Sequence, residues 1–185
     1  QIMSFIDGLE LVKPVVMGCS IGGRIILHLA IHFPEKFKAL IGLQSAGHID
    51  PYYDISWLHR QDVHGGEVCG GIAYGLMAPT SPDNDKFETM WHYMQGGPGI
   101  FKGDLFFYKF DGNIGNEIKK IDNSKCPIYL LTGEYDYSAT PEETKSLADT
   151  IGIQMIKMKN VGHFPMSENP EEFLKYLHPI LEKIN

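Results

Sequence analysis

Three short stretches hold residues whose types and order could carry nucleophilic chemistry. The first is Gly18-Cys19-Ser20-Ile21-Gly22-Gly23, which sets a serine among glycines. An apolar run, Val15 to Met17, leads into it, and a second apolar segment, Ile25 to Phe33, follows. A sharp strand-to-helix turn at such a junction lifts one side chain clear of the sheet. It also brings the next backbone N–H close to that side chain at a helix N-terminus. Small residues at positions 18 and 22 answer the crowding of backbones in the turn. Ser20 would then attack a carbonyl carbon, and the Ile21 N–H would help to hold the oxyanion. The pattern alone is weak in a chain of 185 residues with 20 glycines. A phosphate-binding loop would need G-x-G-x-x-G, or a lysine followed by Ser or Thr, and the stretch has neither.

A serine hydroxyl needs a general base, and the base needs an orienting carboxylate. In chain order the expected sequence is serine, acid, histidine. Asp136 lies in "LLTGEYDYSATPEE" and His163 in "VGHFPMSENPEEF", each just past an apolar run. Glu134 is a rival acid two residues nearer the strand, but the longer loop favours Asp136 for reaching across to His163. Gly162 before the histidine and Phe164-Pro165 after it suggest a shaped turn. Taken singly, Asp136 and His163 could equally be solvated turn residues. Their joint order gives the chemical reading its weight.

The elements that must position these groups can be read from periodicity. Val15 to Met17, Ala39 to Leu43, Ile128 to Leu131 and Gln154 to Met158 are predicted strands. Residues 1–9 resemble the end of an amphipathic helix, and Ile21 to Phe33 a helix closed by Pro34. Thr140-Pro141-Glu142-Glu143 is a capping box that opens a helix to about Ile151. Asn169-Pro170-Glu171-Glu172 repeats the signal for a final helix to about Ile184. Buried strands alternating with helices predict an α/β fold, a parallel sheet flanked by helices. Such sheets build their sites at the strands' C-terminal edge.

Between 47 and 115 the alternation stops and aromatic residues accumulate. The expected domain plan is a core from 1–46 and 116–185, with 47–115 as a helical cap or lid. Within it, a helix is predicted from Ser81-Pro82 to about Gln95, and "HGGEVCGG" at 64–71 is predicted as a loop. Aromatics of this insertion (Trp57, Tyr74, Trp91, Phe106 and Phe107) together with Phe164 are candidates to line a mainly apolar pocket over Ser20. The bland alternative makes them the insertion's own core.

Bulk properties narrow the class. A formal charge of -7 and a pI near 5.6 leave no basic surface for nucleic acid. No apolar run approaches the roughly 20 residues of a membrane span. Three cysteines, Cys19, Cys69 and Cys126, predict reduced thiols and a cytoplasmic location. His28 and His32 share a helix face without an acidic partner nearby in sequence. His59, His64, Glu67 and Cys69 fit no zinc-finger spacing, so no metal and no cofactor is expected.

The elbow and "GHFPMSENPEEF" resemble those of the α/β-hydrolase fold superfamily. The likeness is to the branch of carboxylesterases, lactonases, C–C bond hydrolases and cofactor-free haloperoxidases. It runs from Ile2 to the end, and 47–115 resembles that family's cap. The resemblance implies Ser20 as nucleophile, Asp136 as orienting acid and His163 as base. The implied activity is cleavage of a small, apolar, ester-like substrate through an acyl-enzyme. It also implies exclusion of the branches that use a carboxylate nucleophile at position 20. Two alternatives stay open. One is hydrolysis of a C–C bond by the same triad, which Phe164 disfavours because those relatives often carry Trp there. The other is a non-catalytic ligand-binding protein.

The family places four strands before the elbow strand, and its second oxyanion donor in a loop among them. Only 14 residues precede Val15 here, and the first is Gln1. The resemblance therefore implies an N-terminally incomplete chain. Its Val15 strand would pair with a further segment of the same protein or with a second chain.

Overall fold

Four apolar runs make one parallel sheet. The computed structural model describes residues 1–47, 65–96, 100–110 and 112–185. The strands are β1 (Val15–Cys19), β2 (Ala39–Leu43), β3 (Ile128–Gly133) and β4 (Met155–Met158), in the spatial order β1-β2-β3-β4. Val15 sits beside Ala39, Leu40 beside Ile128 and Leu130 beside Met155. Three strand ends differ from the sequence reading by one or two residues, and β2 coincides with it.

Helices cover both faces: α1 (Ile2–Gly8), α2 (Ile21–His32), α6 (Pro141–Ile151), α7 (Pro165–Glu168) and α8 (Pro170–Ile184). Alternation along the strands sorts the core into two layers. Leu40 and Leu130 point to one side, among Ile26, Leu27 and Leu29 of α2 and Leu147 of α6. Ile41, Leu43 and Leu131 point to the other, against Phe173, Leu177 and Ile180 of α8. The α6 start is the capping box itself. Thr140 Oγ1 accepts the Glu143 N–H while Glu143 Oε2 accepts the Thr140 N–H. Asn169 caps α8 through the Glu172 N–H.

Between β2 and β3 the described residues form α3 (Gly65–Gly75), α4 (Asp83–Met94) and α5 (Ile100–Lys109), then a 3-10 segment, Gly115–Lys120. The stretch at 64–71 is thus not the predicted loop, for Gly65 to Gly70 open α3. Tertiary packing overrides the low helix propensity of glycine. A Cβ at Gly70 would sit 2.6 Å from Met94 Cγ, so the bare backbone is what lets α3 and α4 approach closely. Pro82 is the residue before α4 rather than its first. No helix among the described residues is long and apolar enough to cross a membrane. All three cysteines are free thiols.

Candidate active site

The sheet brings three separate loops to its C-terminal edge, where each strand hands over to the residue that matters. Ser20 follows β1 directly and has φ 58°, a left-handed backbone that a side chain rarely adopts. The turn is held by two backbone bonds, Ser20 N–H to Leu43 O and Arg24 N–H to Ser20 O, both 3.0 Å. As first residue of α2, Ile21 has an N–H without an intrahelical acceptor, beside the Ser20 side chain.

Crowding in the turn falls on Gly18, as the spacing suggests, and on Gly23 rather than on Gly22. A Cβ on Gly18 would collide with the backbone of Gly22, and one on Gly23 with Leu43 O and Ser45 Cβ. A Cβ on Gly22 would meet nothing within 4 Å.

Ser20, His163 and Asp136 form one hydrogen-bonded chain. His163 Nε2 lies 2.9 Å from Ser20 Oγ, and Nδ1 lies 2.9 Å from each Asp136 oxygen. Asp136 and His163 are buried, at 2% and 4% exposure. Asp136 Oδ1 also accepts the N–H groups of Ser138 (2.8 Å) and Ala139 (3.0 Å). An ionised carboxylate is acceptor-only, so Nδ1 carries the proton and Nε2 is left to accept from Ser20. The rival Glu134 turns elsewhere and accepts the Asn160 N–H at 3.3 Å.

Two buried side chains that carry no motif hold this arrangement. Gln44, the residue after β2, donates from Nε2 to Gly162 O and accepts at Oε1 from Thr132 Oγ1 and Gly133 N, both 2.8 Å. It binds the ends of β2 and β3 to the histidine loop. Glu168 accepts four donors: the N–H groups of Gly162, Phe164 and Ala78, and the Ser81 hydroxyl. It ties the histidine loop to the segment after α3. Nothing in the local sequence marks Glu168, five places past His163, for this role. Cys19, beside the serine, donates weakly to His163 O at 3.5 Å. Burial pushes its thiol far above the ordinary range, which keeps it protonated.

A cavity of about 80 Å³ opens onto Ser20 and His163. Its apolar wall comes from Ile72, Ala73 and Leu76, from Tyr93 of α4, and from Phe101, Leu105 and Tyr108 of α5. Phe164 and Ile21 line it as well. Tyr74, Trp91, Phe106 and Phe107 do not line it. Tyr74 stacks on Phe87 at 5.9 Å, outside the cavity. Trp91 is 59% and Phe106 47% exposed. Phe107 packs with Ala46, Leu105 and Ala139. Within the helical insertion the sequence singled out only the helix that became α4, and it gave no rotational phase for any of the three. Ala73 rather than Tyr74, Tyr93 rather than Trp91, and Leu105 and Tyr108 rather than Phe106 and Phe107 face Ser20. Trp57, His59 and His64 lie outside the described residues. Among the described residues, no three His, Cys, Asp or Glu side chains group as metal ligands.

Solved structures share this architecture. An esterase from Thermogutta terrifontis superposes with a TM-score of 0.82 at 19% identity, over 99% of this chain and 70% of its own. Est816, described as an N-acyl homoserine lactone degrading enzyme, gives 0.75 at 25%, over 96% and 71%. A serine hydrolase involved in carbazole degradation, the CarC enzyme, gives 0.73 at 19%, over 98% and 69%. No family model and no curated protein matches the chain. The chain has the α/β-hydrolase fold.

Proposed function

We propose that the protein is a serine hydrolase that cleaves a carboxylic ester or a similar carbonyl compound. The observation that carries this reading is the unbroken relay from Ser20 Oγ through His163 to Asp136, each link 2.9 Å. Ser20 attacks the carbonyl carbon and its proton passes to His163 Nε2. Asp136 holds the ring and stabilises the imidazolium that forms. The Ile21 N–H donates to the oxyanion. His163 then protonates the leaving alcohol, and water repeats the sequence to release the acid.

Residues 47–115 act as the cap in this reading, with α3, α4 and α5 supplying the apolar wall. The cavity's 80 Å³ is well below the roughly 300 Å³ of a drug-sized site, which favours short acyl groups. Three free thiols support a cytoplasmic location. The open edge of β1 supports pairing with a further strand, from the same protein or a second chain.

A fluorophosphonate probe followed by a panel of p-nitrophenyl esters tests the assignment on the full chain. Labelling should map to Ser20, and turnover should fall as the acyl chain lengthens. Ser20→Ala should lose labelling and lower kcat by about 10⁶-fold, as loss of a triad nucleophile does. An unlabelled, inactive wild type refutes the hydrolase.

A further inference from the structure

Ser20 Oγ has a second close neighbour that the relay does not use. Tyr108 OH, from α5, lies 2.9 Å from it. Ser20 has one proton, and His163 Nε2 takes it, because Nδ1 donates to Asp136. The Tyr108 hydroxyl is therefore the donor in its contact with Ser20. Its ring is buried, at 7% exposure, and edges Phe107 at 5.9 Å. The guanidinium of Arg24, itself 2% exposed, lies 6.0 Å from the ring centre. Arg24 donates to Gly47 O at 2.8 Å, and among the described residues its Nε has no hydrogen-bond partner. A positive charge so placed polarises the phenol and strengthens it as a donor.

We propose that Tyr108 is a catalytic residue whose O–H donates to Ser20 Oγ in the resting site and to the substrate oxyanion during acylation. The inference rests on the hydrolase reading above. On attack the Oγ–C bond forms, the carbonyl π pair moves to oxygen, and the serine proton goes to His163. Oγ is then an ester-type oxygen and a poor acceptor. The new oxyanion, bonded to the same carbon, is the strong acceptor beside the phenol. Tyr108 keeps its proton throughout, so it adds a hydrogen bond and no proton transfer. Burial supports this role by pushing its hydroxyl up to about 12, which keeps the donor in place across the working pH range.

The test compares wild type with Tyr108→Phe in the full chain, using a p-nitrophenyl ester, the fluorophosphonate probe and a boronic acid that mimics the tetrahedral adduct. Loss of one such donor costs about 10²–10³-fold in kcat. The expected result is a fall of that order in kcat with KM nearly unchanged, and a matching loss of boronate affinity. Replacing Tyr108 by 3,5-difluorotyrosine, which keeps the shape but is more acidic, should bring the alkaline loss of activity to lower pH. If wild type is labelled at Ser20 and Tyr108→Phe keeps kcat and boronate affinity within about threefold, Tyr108 is overturned and the hydrolase stands. If Tyr108→Phe is unstable, the fluorinated protein decides: an unchanged alkaline limb refutes the proposal. A wild type that no probe labels refutes the hydrolase reading itself.

Discussion

Glu168 holds His163 from both sides of the chain, its Oε1 accepting the N–H groups of Gly162 and Phe164 at 2.9 Å each. Its Oε2 accepts from Ala78 N and Ser81 Oγ at 2.7 and 2.8 Å, and the residue is fully buried. The backbone of His163 itself donates to Leu76 O at 2.9 Å, in the same segment. One carboxylate thus joins the histidine loop to the turn after α3.

Glu168→Ala would orphan three buried N–H groups and a hydroxyl. Each buried donor left unsatisfied costs about 1–3 kcal/mol, so four of them together set an expected loss of at least about 4 kcal/mol. That is a large part of a typical folding free energy of about 5–15 kcal/mol. Glu168→Gln keeps one oxygen acceptor and should lie between wild type and Ala. Urea denaturation of the three proteins measures this. A Glu168→Ala protein within 1 kcal/mol of wild type would show that water replaces the carboxylate at little cost.

The elbow glycines should separate cleanly. Gly18→Ala and Gly23→Ala drive a Cβ into backbone that cannot move without breaking the turn, and both proteins should be insoluble or unfolded. Gly22→Ala meets open space and lies inside α2, where alanine is the better helix former by roughly 1 kcal/mol. It should fold at least as stably as wild type, by thermal melt. A Gly18→Ala protein with normal stability would mean the turn geometry is wrong.

What the sequence disclosed follows from where each signal lives. The strands β1 to β4 are short apolar runs, and the α6 and α8 starts carry their own capping residues, so local chemistry revealed them. Ser20, Asp136 and His163 were legible through order and topological slot. The supports were not. Gln44 and Glu168 are polar residues whose partners lie up to 118 positions away, and no local pattern announces such pairs. The cap's cavity face depended on helix phase, and α3 holds glycines where tight packing, not propensity, sets the helix. Tyr108 sat unremarked among Phe106 and Phe107 for the same reason.

Tyr108 also predicts an alkaline stability signature. Burial, its largest influence, raises the hydroxyl from 10.0 to about 12, while the Ser20 hydrogen bond and Arg24 oppose that rise. The folded chain therefore keeps a proton that the unfolded chain releases above about pH 10. The contribution of the protonated phenol is complete below that value and is lost as pH climbs through 12. The stability difference between wild type and Tyr108→Phe should shrink between about pH 10 and 12. Tyr93 is raised too, mainly by its own burial, and that part is present in both proteins and cancels. A difference that does not vary with pH would show the hydroxyl to be solvated.

The β1 edge yields the last prediction. Ser20 N–H donates to Leu43 O, so residues of the same parity, Gly18 and Val16, face β2. Val15 and Met17 therefore direct their N–H and C=O groups to the open side. Their side chains are 36% and 43% exposed, and Phe5, Leu9 and Val12 nearby are 63%, 56% and 90% exposed. Unpaired backbone beside apolar side chains is a template for another strand. If a strand docks on this edge in the working protein, hydrogen exchange should find the Val15 and Met17 amides protected to the level of the Ile41 amide within β2. Val15 and Met17 amides that exchange rapidly in the working protein would show that this edge is solvated and takes no strand.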